Sequence, residues 1–186
     1  MCRASHLGLA CALVGACATA GPSEAPPVDA PRAIDSAPPV DTMQADMCAS
    51  ASTCQGATDL GSISGDSGSD MVTASGYQST WVHVRATEDD SSIGGRKLAV
   101  TAQLTSPANT SYAVFVYVNS GNDVIECTTP SGTPTTSGST ETVKVKWGEG
   151  TVSNGDDDSR TVSIEVRPMS GTCSAAMPWQ LVVTGN

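Results

Sequence analysis

The sequence predicts an all-β protein: a single antiparallel β-sandwich, jelly-roll-like and of about eight or nine strands, preceded by a signal peptide and a disordered tether. Three observations carry that expectation. Apolar and polar residues alternate with a period of two in stretches such as Val143-Lys144-Val145-Lys146-Trp147 and Val162-Ser163-Ile164-Glu165-Val166-Arg167, the pattern of strands with one buried face. Turn-forming clusters, among them Gly65-Asp66-Ser67-Gly68, Ser106-Pro107-Ala108-Asn109 and Asn119-Ser120-Gly121-Asn122-Asp123, punctuate the chain at short intervals. No stretch has the period of a long amphipathic helix.

Residues 1–16 read as an export signal. Arg3 and His6 precede Leu7-Gly8-Leu9-Ala10-Cys11-Ala12-Leu13-Val14, an apolar run too short for a bilayer-spanning helix of roughly 20 residues but the right length for a signal-peptide core. The order Leu13-Val14-Gly15-Ala16-Cys17 resembles the bacterial lipobox, in which the cysteine receives a diacylglycerol and the chain is cut in front of it. That resemblance implies lipidation of Cys17 and a membrane anchor, with Ala18 rather than Asp directing the protein to the outer membrane or cell surface. The competing reading is an ordinary signal cut after Ala16 or Ala18, which releases a soluble secreted protein.

Residues 17–47 read as a tether. Pro-Pro-Val-Asp recurs, at Pro26 and again at Pro38, and aromatic residues are absent. Nothing there can be buried, and proline favours an extended chain. The folded domain is expected over 48–186.

Within it, strands are expected at 60–63, 71–74, 81–86, 98–104, 112–118, 124–128, 143–147, 162–167 and 179–184. The run Tyr112-Ala113-Val114-Phe115-Val116-Tyr117-Val118 is apolar on both faces and is therefore expected at the centre of a sheet. Four cysteines remain after the signal and Cys17: Cys48, Cys54, Cys127 and Cys173. An even number in an exported chain predicts two bridges with three connectivities. Proximity in sequence favours Cys48 with Cys54, which leaves Cys127 with Cys173. A zinc site is the weaker alternative, since no Cys-x-x-Cys pair exists.

Several of these segments taken together resemble the bacterial pre-peptidase C-terminal domain. They are Asp59-Leu60-Gly61-Ser62-Ile63-Ser64-Gly65, Trp81-Val82-His83-Val84, Leu98-Ala99-Val100-Thr101-Ala102, Tyr112 to Tyr117, and the closing Val162 to Val166 and Trp179 to Val183. The resemblance implies a small β-sandwich module that binds insoluble substrates, in some members with calcium. Where that family has an Asp-rich strand, this chain reads Tyr112-Ala113-Val114-Phe115. The combination of lipobox, tether and bridged sandwich also resembles bacterial envelope lipoproteins.

Charge excludes some partners. Nineteen Asp and Glu against nine Lys and Arg give a net charge of −10, and the cations are scattered, so nucleic acid is not an expected partner. Two acidic clusters, Glu88-Asp89-Asp90 and Asp156-Asp157-Asp158, offer the oxygen ligands that calcium takes. They also read simply as solvated turns. Catalysis is not expected: serine chemistry requires a base, and beyond the signal His83 is the single histidine. A two-carboxylate mechanism requires acids facing each other across a cleft rather than clustered in turns. The expected function is a non-catalytic binding module for a polysaccharide, peptide or fibrous protein, with Tyr77, Trp81 and Trp179 as the candidate aromatic platform. The alternative is a structural subunit docking on another envelope protein.

Overall fold

The computed structural model describes residues 48–88, 96–148 and 157–186, and all regular structure among them is strand. Nine strands follow one another: β1 (Thr58–Ser64), β2 (Met71–Gly76), β3 (Thr80–Thr87), β4 (Leu98–Thr105), β5 (Ser111–Tyr117), β6 (Thr135–Ser137), β7 (Thr140–Trp147), β8 (Arg160–Ser170) and β9 (Trp179–Thr184). They form a four-stranded sheet A, in the order β1-β3-β8-β5, and a five-stranded sheet B, in the order β2-β9-β4-β7-β6. From β2 to β6, and again for β8 and β9, each strand lies in the sheet opposite its predecessor. This alternation is the connectivity of a jelly roll. One pair departs from the antiparallel expectation: β1 runs parallel to β3, with a register shift between Asp59 and Ser62.

The core lies between the sheets and follows from side-chain parity. Val82, Val84 and Ala86 of β3 and Val162, Ile164 and Val166 of β8 face Val100, Ala102 and Leu104 of β4, Val143 and Val145 of β7, and Leu181 and Val183 of β9. All are buried, and a fully buried valine or leucine contributes about 1.5–3 kcal/mol. Trp179 fills the end of this layer, 1% exposed. It packs so closely that a Cβ on Gly76, its cross-strand neighbour, would lie 2.7 Å from its ring.

Three sequence expectations are corrected. The doubly apolar strand β5 is an edge strand of sheet A, not a central one. Its inward face meets the core, and its outward face, with Phe115 half-buried and Tyr117 4% exposed, lies under loops rather than solvent. Its free backbone edge is capped by side chains and loop amides. Ser106 Oγ bonds both the N–H and the C=O of Tyr112, the Ser131 N–H donates to Val116 O at 2.7 Å, and Ser131 Oγ bonds the N–H and C=O of Val118. Residues 124–128 form no strand; the additional strand is the short polar β6. The bridges join Cys48 to Cys173 and Cys54 to Cys127, not the pairs that proximity favoured. The chain leaving Cys48 runs along β3, where Ser52 Oγ accepts the Trp81 N–H at 2.8 Å, so Cys54 is carried away from Cys48 and over sheet A.

That path creates a third layer. Residues 51–57 and 118–131 lie against the outer face of sheet A and are tied by the Cys54–Cys127 bridge, by Asp123 on Arg85, and by Asp123 Oδ1 accepting the Thr161 N–H at 3.0 Å. Beneath them are Trp81 and Tyr117, ring centroids 5.1 Å apart, and Glu165, which accepts the Tyr117 hydroxyl at 2.9 Å and pairs with Arg167 at 2.7 Å.

The outer face of sheet B is covered at one end, where Ala99 is buried and its N–H donates to Gly65 O, and the rest has no such cover among the described residues. Cross-strand register sorts its outward side chains into rows. The first holds Met71, Thr184, Thr101 and Lys144. The second holds Thr73, Val182, Gln103, Thr142 and Thr135, and the third Ser75, Gln180, Thr105, Thr140 and Ser137. All fourteen are exposed or half-buried.

Candidate functional site

The three aromatics expected to form a platform are not brought together. Trp179 shares the inward phase of Leu181 and Val183 and donates its Nε1–H to Gln78 O at 3.0 Å; it belongs to the core, which corrects its assignment as a binding residue. Trp81 is half-buried on the opposite sheet, against Tyr117. Tyr77 is half-buried in the β2–β3 turn, where its carbonyl accepts the Tyr112 hydroxyl at 2.6 Å.

The described members of the acidic clusters, Glu88 with Asp157 and Asp158, lie close together, because antiparallel pairing of β3 and β8 brings the end of one to the start of the other. Glu88 Oε2 accepts the Asp158 N–H at 2.8 Å, and Ser159 Oγ accepts the Glu88 N–H at 3.0 Å. Asp158 pairs with Arg160 at 3.2 Å, both side chains 10% exposed, and its carbonyl accepts Trp147 Nε1–H. Asp157 takes the Ser159 hydroxyl and N–H, bonds that hold its carboxyl below the usual range. These carboxylates close the β3–β8 end by bonding backbone. Among the described residues no three metal-ligating side chains are grouped; Asp89, Asp90 and Asp156 lie outside the described residues.

His83 stands in a cross-strand row with Asp59 on one side and Ser163 on the other. The order is suggestive of a nucleophile, base and orienting acid, but the bonds are not made. His83 Nε2 and Ser163 Oγ are each buried without a hydrogen-bond partner, and Asp59 Oδ1 accepts the Gly61 N–H at 2.8 Å. Ser163 is fully buried. Burial pushes the His83 pKa down, opposed by the Asp59 charge and the Cys54 backbone.

A concavity lies elsewhere, at the end of the sandwich where the β4–β5 loop faces the β6–β7 hairpin. It is an open groove of about 570 Å³, lined by residues 106–112, Thr136, residues 138–141 and Ser170. Loop and hairpin are held apart at a fixed distance by the Ser106 N–H donating to Ser139 O at 2.9 Å and by the Thr105 and Thr140 hydroxyls, 3.3 Å apart. The turn passes through Asn109 in the left-handed region, φ 63°, a conformation asparagine tolerates. Gly171 backs it at a distance where a Cβ would lie 2.4 Å from Asn109 O. Hydroxyl and amide side chains, Ser106, Asn109, Ser111, Ser139 and Thr140 among them, line the groove beside the apolar Pro107 and Ala108, with Glu141 as the single charge. Glu141 is bonded by Val114 backbone, and burial pushes its carboxyl pKa up.

Sequence reading found the 106–109 turn but not the groove. Serines and threonines in turns carry no distinguishing signal until the hairpin facing them is placed, and that hairpin begins with the unpredicted β6. The arrangement can present several neutral donors and acceptors to a ligand lying across an open surface. No protein-family model matches the chain, and no curated protein matches it.

Proposed function

We propose that this chain is an exported, lipid-anchored protein that displays a non-catalytic β-sandwich module binding an extracellular polysaccharide. The observation that carries the reading is the open groove between loop 106–112 and hairpin 136–141, lined by hydroxyl and amide groups on a rigid scaffold. Such groups match the donor and acceptor pattern of a polyhydroxyl ligand. A protein partner would be anchored by exposed Trp, Tyr or Arg, and the groove's one aromatic residue, Tyr112, is buried. The two disulfides fit an oxidising compartment, as the signal and Cys17 imply.

The test is co-sedimentation of the full chain with insoluble polymers: peptidoglycan, chitin, cellulose and collagen. Pelleting is expected with at least one polysaccharide, and Ser139→Arg, which projects a long side chain into the groove, is expected to weaken it by about tenfold or more, some 1.4 kcal/mol. Absence of pelleting with every polysaccharide overturns the reading. Metabolic labelling with a fatty acid, lost in Cys17→Ser, tests the anchor.

A further inference from the structure

We propose that the outer face of sheet B is itself a binding platform, continuous with the groove, and that its ligand is an uncharged polysaccharide lying flat across the strands. The proposal rests on the binding-module reading and names the ligand class and the surface that reading leaves open.

The face is sparing of charge. Charged residues make up 15% of this chain, and nineteen of them are carboxylates. Yet no carboxylate occupies an outward position on any of the five strands of sheet B, and the second and third rows hold no charge at all. Lys144 stands in the row next to the uncharged ones, and Lys146 near the end of β7. The ten positions of the two uncharged rows are threonine, serine and glutamine with one valine. Threonine offers a hydroxyl beside a methyl, and a pyranose ring likewise offers hydroxyls at its rim and C–H groups on its faces, so the two surfaces can exchange both kinds of contact. Four inter-strand spacings make the platform about 19 Å wide, with rows roughly 7 Å apart.

Contrast with sheet A sharpens the point. There the chain covers the outer face with its own bridged loops, whereas on sheet B the described residues leave the two uncharged rows open. The third row reaches the groove through Thr140, which lines the groove and also pairs with Thr105. A polymer seated in the groove therefore has an uninterrupted neutral surface to run onto. The lack of large apolar or aromatic side chains in the two uncharged rows argues against a protein partner there. The lack of charge argues against an acidic polymer, since such a ligand would give up its hydration without a matching cation.

The decisive variant is Gln103→Glu/Gln180→Glu, which adds two charges with almost no change in volume, one in each uncharged row. Binding of the full chain to a neutral polysaccharide such as cellulose or chitin is expected to fall at least about tenfold, with the melting temperature unchanged. Wild-type binding is expected to be insensitive to added salt, as a neutral contact is not screened. Undiminished binding by the double variant, alongside loss in Ser139→Arg, overturns the platform and leaves the groove standing. Preference for an acidic over a neutral polysaccharide, or strong salt sensitivity, overturns the neutral ligand. Failure of the wild type to bind any polysaccharide overturns this proposal together with the reading on which it rests.

Discussion

His83 shows how one side chain can be read correctly in sequence and still be misjudged. Its alternation with Val82 and Val84 places it on the outward face of β3, as it is. What alternation could not show is that the outward face is covered. Asp59 on β1, Ser163 and Glu165 on β8, Tyr117 on β5, and Trp81 and Arg85 on its own strand share that covered face. Desolvation lowers the pKa of His83 from 6.5 in spite of Asp59 and the Cys54 backbone. A depressed folded-state pKa means that the fold prefers the neutral ring. Its contribution is therefore fully present above pH 6.5 and is lost as pH falls through the lowered value. The melting temperature is expected to decline between pH 7 and 5, and His83→Asn is expected to flatten that decline when the two are compared by calorimetry. Trp179 teaches a related lesson: its phase with Leu181 and Val183 marked it as core, and its size alone suggested a platform.

Elements with one wet face were legible, and elements whose environment is made by distant chain were not. Strands β7 and β8 appear where alternation placed them. Strand β5 looked central because both its faces are apolar, but the second apolar face serves the covering loops rather than a second sheet neighbour. Residues 124–128 looked like a strand because Val124, Ile125 and Cys127 are strand-forming residues. Their partner is a disulfide across 73 residues, which no local pattern encodes. Strand β6, three exposed polar residues, carried no pattern at all. In the chain-entropy account a loop of that length contributes about 4 kcal/mol. Cys54→Ser/Cys127→Ser is accordingly expected to lose roughly that much in denaturant unfolding, and the loosened cover is expected to shift Trp81 emission to the red.

For the molecule as a whole, the three tryptophans report different layers: Trp147 and Trp179 belong to the core, and Trp81 to the interface between sheet A and its cover. Because the cover is closed by its own disulfide and bonded to sheet A by ionic and backbone contacts, it is expected to melt with the sandwich. Fluorescence and far-ultraviolet circular dichroism should then trace one coincident transition while the bridges are intact. Reduction is expected to separate them, with fluorescence moving first; coincidence after reduction would show that the cover does not depend on its bridge. At this scale the sequence disclosed the sandwich and the presence of two bridges, through alternation and an even count of cysteines. The groove and the neutral face were hidden, since both arise from register between strands far apart in the chain.

The Cys48–Cys173 bridge also sets a route for mechanical load. It joins the first described residue to a point 125 positions later, in the connection from β8 to β9, and β9 lies between β2 and β4 inside sheet B. If a ligand held on sheet B is pulled against the chain preceding Cys48, tension crosses this covalent link and enters the very sheet that carries the ligand. Strand β1 and the parallel pair it forms are bypassed, so they are not peeled from the edge of sheet A. The load is instead borne in shear, spread over the backbone hydrogen bonds on both sides of β9.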